Sequence, residues 1–361
     1  MRASPFASIV LVLMGCGGGE DAADSSDGST SPDAVVTTET GGDSNVGDGG
    51  SDTAGPGDSS VSDSASVDVA ADTGAGSKRG FPATSPWLSF YGSAAEMGDL
   101  AKAASTFRVL NIDVDPDGAN FTKAQIATLR AAGKNRVISY LNLGSCENYR
   151  SYWNTVPSGF VSCKANTKAQ RGAYDGYPDE TWMNVGDADY QHLMVDHVAQ
   201  RLADMGIDGF FLDNLEIVEH GTSTTNGPCD AACAQGGLDL VRKLREKFPD
   251  LLIVMQNATG SFTRTGKTGG VSFPTLLDGI SHEEVYAPTY DSGSESELLA
   301  WKALALTPGG HPFFIATEDY VGNCSATTKA KSAYDKSRAN GFTPYATDAS
   351  GGQKVVCYWP F

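Results

Sequence analysis

The chain has 361 residues, 44 acidic and 26 basic, for a formal net charge of -18. No basic stretch marks a nucleic-acid surface, and no nucleic-acid partner is expected. Thirteen of the acids lie between Gly17 and Ser77, and without them the balance is only -5, so acidity says little about what the rest of the chain binds.

The first segment reads as targeting, not fold. Arg2 precedes a short apolar run from Phe6 to Met14, too short to span a bilayer and suited to a signal h-region. The run ends in Leu13-Met14-Gly15-Cys16, which resembles the bacterial lipobox, where cleavage before the cysteine frees it to carry lipid on its sulfur. Residues 1–15 are thus expected to be a lipoprotein signal peptide and Cys16 the lipidation site. The protein is expected to be exported and lipid-anchored to the cell envelope, with the membrane as a partner through that anchor only. No Asp follows Cys16, which leaves the outer membrane or cell surface open as destination. Residues 16–78 are dominated by Gly, Ser, Thr, Asp and Ala; such a chain cannot offset its ordering entropy and reads as a disordered tether.

Residues 79–361 are long enough for one large domain. Apolar, β-rich runs occur at Trp87–Tyr91, Phe107–Asp113, Arg136–Leu143, Gly209–Asp213, Leu251–Gln256, Gly279–Tyr286, Pro312–Thr317 and Phe342–Ala346. Helical patterns lie between them, at Thr122–Ala132, Tyr190–Met205, Leu238–Lys247 and Ser294–Leu306. Alternation of this kind demands parallel pairing, and eight strands predict a single (β/α)8 TIM barrel acting as a monomer. An open doubly wound sheet would produce the same alternation.

Of seven cysteines, six remain once Cys16 is set aside, and an exported chain oxidises them. Proximity suggests Cys146–Cys163 and Cys229–Cys233, leaving Cys324 for Cys357, among about fifteen arrangements that six cysteines allow. Zinc is the rival reading, but the spacing of thiols and histidines does not suit it. Asp113-Val114-Asp115-Pro116-Asp117-Gly118 imitates a calcium loop but places Ala124 where a bidentate Glu is required. Neither a metal nor another cofactor is expected.

Candidate chemistry gathers at strand ends. Gly206-Ile207-Asp208-Gly209-Phe210-Phe211-Leu212-Asp213-Asn214-Leu215-Glu216 delivers Asp213, Asn214 and Glu216 at the carboxyl end of a strand, the active face of a barrel. Tyr140, Asn142 and Glu147 follow the third strand, ahead of some forty residues carrying Tyr149, Tyr152, Trp153, Tyr174, Tyr177 and Trp182, whose rings suit sugar faces. Trp182 either touches substrate or closes the loop onto the barrel. Asn257 ends the fifth strand, and Glu283, Glu284 and Tyr286 end the sixth. Two carboxylates facing one cleft from different strands are what glycoside hydrolysis requires, and Asp213 with Glu283 is the expected pair. Alternation lets only one of Glu283 and Glu284 face the cleft, and the sequence leaves open which.

These residues resemble the endo-α-1,4-polygalactosaminidases, glycoside hydrolase family 114. The resemblance is carried by Tyr140-Leu141-Asn142-Leu143-Gly144 with Glu147 and Tyr149-Arg150, by Glu180-Thr181-Trp182, by Gly206 to Asn214, and by Glu283. It implies a barrel that cleaves α-1,4-linked galactosamine polymer with retention, with Asp213 as nucleophile, Glu283 as acid/base and Asp208 in reserve. On that assignment Glu283 must hold its proton near neutral pH while Asp213 stays ionised. Ser145 departs from the family, standing where an acid is common, and so does Val285, where a Cys often follows. Two other readings are a tethered carbohydrate-binding lipoprotein without catalysis and a hydrolase of another α-linked galactan.

Overall fold

The computed structural model describes residues 79–82, 85–349 and 351–361. The signal peptide, Cys16 and the tether lie outside the described residues. Eight strands form one parallel sheet: Trp87–Phe90 (β1), Val109–Ile112 (β2), Arg136–Asn142 (β3), Gly209–Asp213 (β4), Leu252–Gln256 (β5), Gly279–Glu283 (β6), Phe314–Tyr320 (β7) and Thr343–Thr347 (β8). Each pairs with its neighbour in chain order, and β8 comes round to β1, where the Trp87 and Tyr345 rings meet at 6.1 Å. This is the expected (β/α)8 barrel. Helices fill the crossovers, among them Lys123–Leu129, the run from Ala188 to Ala203 with a π-helical middle, Ala231–Lys247, Ser292–Lys302 and Thr327–Ala339.

The registers decide which side chains enter the barrel, because partners in a parallel pair point the same way. Trp87 pairs with Val109, Tyr140 with Phe211, Asn142 with Asp213, Gln256 with Ser281, Glu283 with Glu318, and Glu318 with Tyr345. All of these belong to one inward set. In the lower part Trp87 sits 6.1 Å from Phe211 and 6.2 Å from Phe314, ring to ring. Each buried ring removes roughly 150–250 Å² from water, on the order of 4–6 kcal/mol before entropy is charged against it.

The amino end is tied by two copies of one motif. Asp208 and Asp278 each stand just before a strand that begins with glycine and accept a backbone N–H at the start of the preceding barrel strand, Val137 at 3.0 Å and Ile253 at 2.9 Å. Arg130 grips Asp208 at 2.6 Å, and Arg245 grips Asp278 at 2.5 Å. Both acids therefore hold the bottom of the barrel, which removes Asp208 from the candidate site.

Two strand ends differ from expectation. The left-handed backbone of Glu284, at φ 55°, ends β6 at Glu283 rather than Tyr286. By contrast β7 continues past Thr317 to Tyr320, since Glu318 and Tyr320 keep the inward alternation and pair with Tyr345 and Thr347. The forty-residue loop after β3 is itself structured. It holds an antiparallel sheet in which Tyr177–Met183 lies between Ser145–Glu147 and Gln170–Tyr174. The disulfides are Cys146–Cys163, Cys229–Cys233 and Cys324–Cys357, as proximity suggested. Asp113, Asp115 and Asp117 are met by arginines: Arg150 lies 3.1 Å from Asp113, and Arg201 lies 2.6 Å from Asp115 and 2.8 Å from Asp117.

Candidate active site

Glu283, the last residue of β6, is the inward member of the Glu283/Glu284 pair, while Glu284 is exposed on the rim. Three side chains from different parts of the fold donate to its carboxylate. Asn257, just past β5, gives its amide N–H to Oε2 at 2.9 Å; on β7 the Tyr320 hydroxyl donates to Oε1; Gln353, near the chain end, donates to the same oxygen at 3.1 Å. Asn257 also accepts the Glu283 backbone N–H at 3.1 Å, so amide and strand end lock each other. Glu318, the register neighbour of Glu283, is fully buried, and among the described residues neither of its carboxyl oxygens has a hydrogen-bond partner; the nearby Ser89 hydroxyl directs its proton to Gln353. Burial, then the charge of Glu283, pushes the Glu318 carboxyl well above the usual range.

Across the mouth, Asp213 ends β4 and shares the inward register with Asn142 and Tyr140. Burial first, then the charges of Glu216, Glu283 and Glu180, raises its carboxyl well above the ordinary value. Glu216 is raised to about 8 by burial and, among neighbouring charges, chiefly by Glu283, and its buried Oε2 has no hydrogen-bond partner among the described residues. The upward direction at Asp213 runs against the expectation that it stays ionised, because carboxylates crowded into little water favour one another's neutral form. The Tyr91, Tyr140 and Tyr320 phenols are likewise raised by burial first and then by neighbouring carboxylates, so all three remain donors.

Glu180 joins this group from the inserted sheet. It accepts from Ser145 at 2.5 Å, from Asn142 at 3.0 Å and from Asn214 at 3.2 Å, and burial raises its carboxyl. Ser145 thus stands where an acid is common in the resembled family, and the Glu180 carboxylate reaches it from the neighbouring antiparallel strand. Such closeness needs Gly144, whose Cβ, were there one, would lie 1.7 Å from the Asn214 carbonyl oxygen.

Several expected substrate contacts lie behind this front. Asn142 and Asn214 are buried and spend their amides on Ser145 and Glu180. Glu147 is buried, with its oxygens taken by Tyr149 at 2.7 Å, Arg150 at 2.9 Å and Tyr152 at 3.2 Å, so it holds Tyr149 rather than meeting substrate. Trp182 is buried, stacked under Tyr174 at 4.1 Å and bonded to Asn226 at 2.5 Å; it closes the loop. The Tyr286 hydroxyl is engaged by Glu295 at 3.0 Å and Asn340 at 2.9 Å, on the helical layer. Of the aromatic residues in the loop after β3, Tyr149 and Tyr177 are the exposed ones, at 61% and 56%. Sequence reading missed Glu180, Glu318, Tyr320 and Gln353 as site residues. The period-two run Phe314, Ala316, Glu318, Tyr320 signalled two of them, whereas nothing local marks Gln353.

Comparison with known proteins follows the same lines. The model of glycoside-hydrolase family GH114 matches residues 76–264. An uncharacterized protein of Deinococcus radiodurans is 26% identical over 259 residues, covering 68% of this chain and 74% of its own length. Another, from Thermotoga maritima, is 25% identical over 262 residues, covering 68% and 75%. Among solved structures, the glycoside hydrolase domain of PelA from Pseudomonas aeruginosa superposes with a TM-score of 0.54 at 13% identity, over 75% of this chain and 97% of that domain, a likeness of fold.

Proposed function

The chain belongs to glycoside-hydrolase family GH114, and from that premise we propose that it cleaves α-1,4-linked galactosamine polymer with retention, using Asp213 and Glu283. The chain is a glycoside hydrolase, and its substrate class is polysaccharide; the linkage, the sugar and the pair are the proposed part. One observation carries the choice of sugar. Asp213, Glu216, Glu283, Glu180 and Glu284 ring the barrel mouth, and among the described residues none of them has an arginine or lysine within ion-pair distance. A galactosamine unit brings an ammonium group to a place crowded with carboxylates and favours their charged forms. Asp213, as a carboxylate, is then free to attack the anomeric carbon.

In the first step the Asp213 carboxylate displaces the glycosidic oxygen as Glu283 delivers a proton to it, leaving a glycosyl ester. Water then attacks that ester, Glu283 takes the water's proton, and Asp213 departs as carboxylate. The three donors around Glu283 hold it in one orientation for both transfers. Release of reducing ends from partly deacetylated galactosamine polymer, fully acetylated polymer and neutral galactan tests the reading. Cleavage of the first alone is expected. Equal cleavage of neutral galactan would move the assignment to another α-linked galactan, and binding without cleavage would leave a carbohydrate-binding protein. Asp213→Asn and Glu283→Gln should each lower turnover by several orders of magnitude with the fold kept, while Glu284→Gln stays near the parent.

A further inference from the structure

The barrel is hydrogen-bonded strand to strand from β1 to β8, but β8 and β1 share no strand register. The C-terminal segment runs along this seam. Gln353 accepts the Tyr91 N–H at 2.8 Å on the β1 side. On the β8 side, Val355 accepts from Thr347 at 3.3 Å, the Cys357 N–H donates to the Tyr345 hydroxyl at 3.1 Å, and the Trp359 indole donates to Ala346 at 2.8 Å. Cys324–Cys357 fastens the segment to the loop after β7, with 5.0 Å between the Cα atoms.

Gln353 differs from its neighbours on this strap in two ways. Lys354 and Val355 are exposed, whereas Gln353 is 2% exposed and reaches into the barrel mouth. Its backbone is also left-handed, at φ 47°, a conformation glycine adopts freely and glutamine does not. Its amide is fully employed: the nitrogen donates to Glu283 Oε1 at 3.1 Å and to the Tyr320 hydroxyl at 3.0 Å, and the oxygen accepts from Ser89. An unfavourable backbone conformation kept at a buried polar residue, beside a carboxylate of the reacting pair, points to a role beyond sealing the seam.

We propose that Gln353 is a positioning residue for the Glu283 carboxylate, delivered by a disulfide-pinned C-terminal strap. The proposal rests on the reading of Glu283 as acid/base. Asn257 restrains one carboxylate oxygen; Gln353, directly and through Tyr320, restrains the other. With Gln353 gone, Glu283 keeps its place on β6 but loses one of the bonds that set the tilt of its carboxylate. Small misplacements of a reacting group cost up to about a hundredfold in rate without weakening ground-state binding.

Two variants separate positioning from packing. Gln353→Gly relieves the backbone and keeps the bond from Tyr91; Gln353→Met keeps the volume and removes the donors. Each is measured beside Glu283→Gln on galactosamine polymer. The expected result is a kcat lower by about ten- to a hundredfold in both Gln353 variants, KM within about twofold of the parent, and no loss of thermal stability in Gln353→Gly. The double variant Cys324→Ala/Cys357→Ala should lower kcat in the same direction, and adding Gln353→Gly to it should lower kcat by less than the product of the two effects, since both act through one group. With Glu283→Gln inactive, unchanged kcat in both Gln353 variants overturns the positioning role and leaves the reading of Glu283 standing. An active Glu283→Gln overturns that reading and the positioning role together.

Discussion

Glu216 is one of the carboxyls through which stability answers to pH. Its folded value, about 8, lies far above that of an ordinary carboxyl near 4.3, so the folded state keeps a proton the unfolded state has released. A raised carboxyl of this kind contributes stability that is fully present below the unfolded value and is lost as pH rises towards the folded one. Stability should therefore fall between roughly pH 4.3 and 8, and Glu216→Gln should flatten that slope. Thermal melts of both proteins across this range test it, and parallel slopes would refute it. The same substitution removes the largest neighbouring charge acting on Asp213. The acidic limb of kcat/KM should then move to lower pH, because Asp213 ionises more readily with one carboxylate fewer beside it. At this scale the strand-end positions of Asp213 and Glu283 were legible in the sequence, whereas the inward facing of Glu283 rather than Glu284 was not. Asp208 misled because it sits in the same motif as Asp213, and only the register reveals that it closes the opposite end of β4.

The meeting of β3 and β4 depends on one missing methyl group. Gly144 passes so close to the Asn214 carbonyl that an added Cβ would overlap backbone rather than a side chain able to move away. Asn214 is itself left-handed, at φ 59°, and its amide steadies Glu180, so it has little freedom to yield. Gly144→Ala should therefore cost about 1–3 kcal/mol and displace Asp213, which is bonded through its backbone carbonyl to Leu143 at 2.9 Å. A melt at the parent temperature combined with parent turnover would show that the contact yields more easily than this. Strand and helix alternation was readable because eight apolar runs carry it. Strand ends were less so: β7 appeared to stop at Thr317 because its inward face turns polar there, and burial of Glu318 and Tyr320 becomes visible only once β6 and β8 flank them.

Over the whole chain, the closure of the barrel was illegible for a physical reason. The segment that crosses from β8 to β1 is not a strand, has no hydrophobic period, and is held by a backbone bond from Tyr91, by side-chain bonds of Thr347, Tyr345, Trp359 and Gln353, and by one disulfide. The pairing of Cys324 with Cys357 predicted that the chain end is tied down, but not that it reaches a reacting carboxylate. The start of the chain carries the remaining claim, and we propose from its lipobox that Cys16 is acylated. Lipid burial contributes about 0.8 kcal/mol per CH2, so one chain binds a membrane marginally and two or more hold firmly. Cys16→Ser should thus shift the protein from the membrane fraction to the soluble fraction. Its turnover on soluble polymer should not change, because the groups assigned to the site lie between Ser89 and Gln353. Unchanged fractionation would rule out the anchor; a loss of turnover alongside the shift would mean that the segment before residue 79 bears on the site.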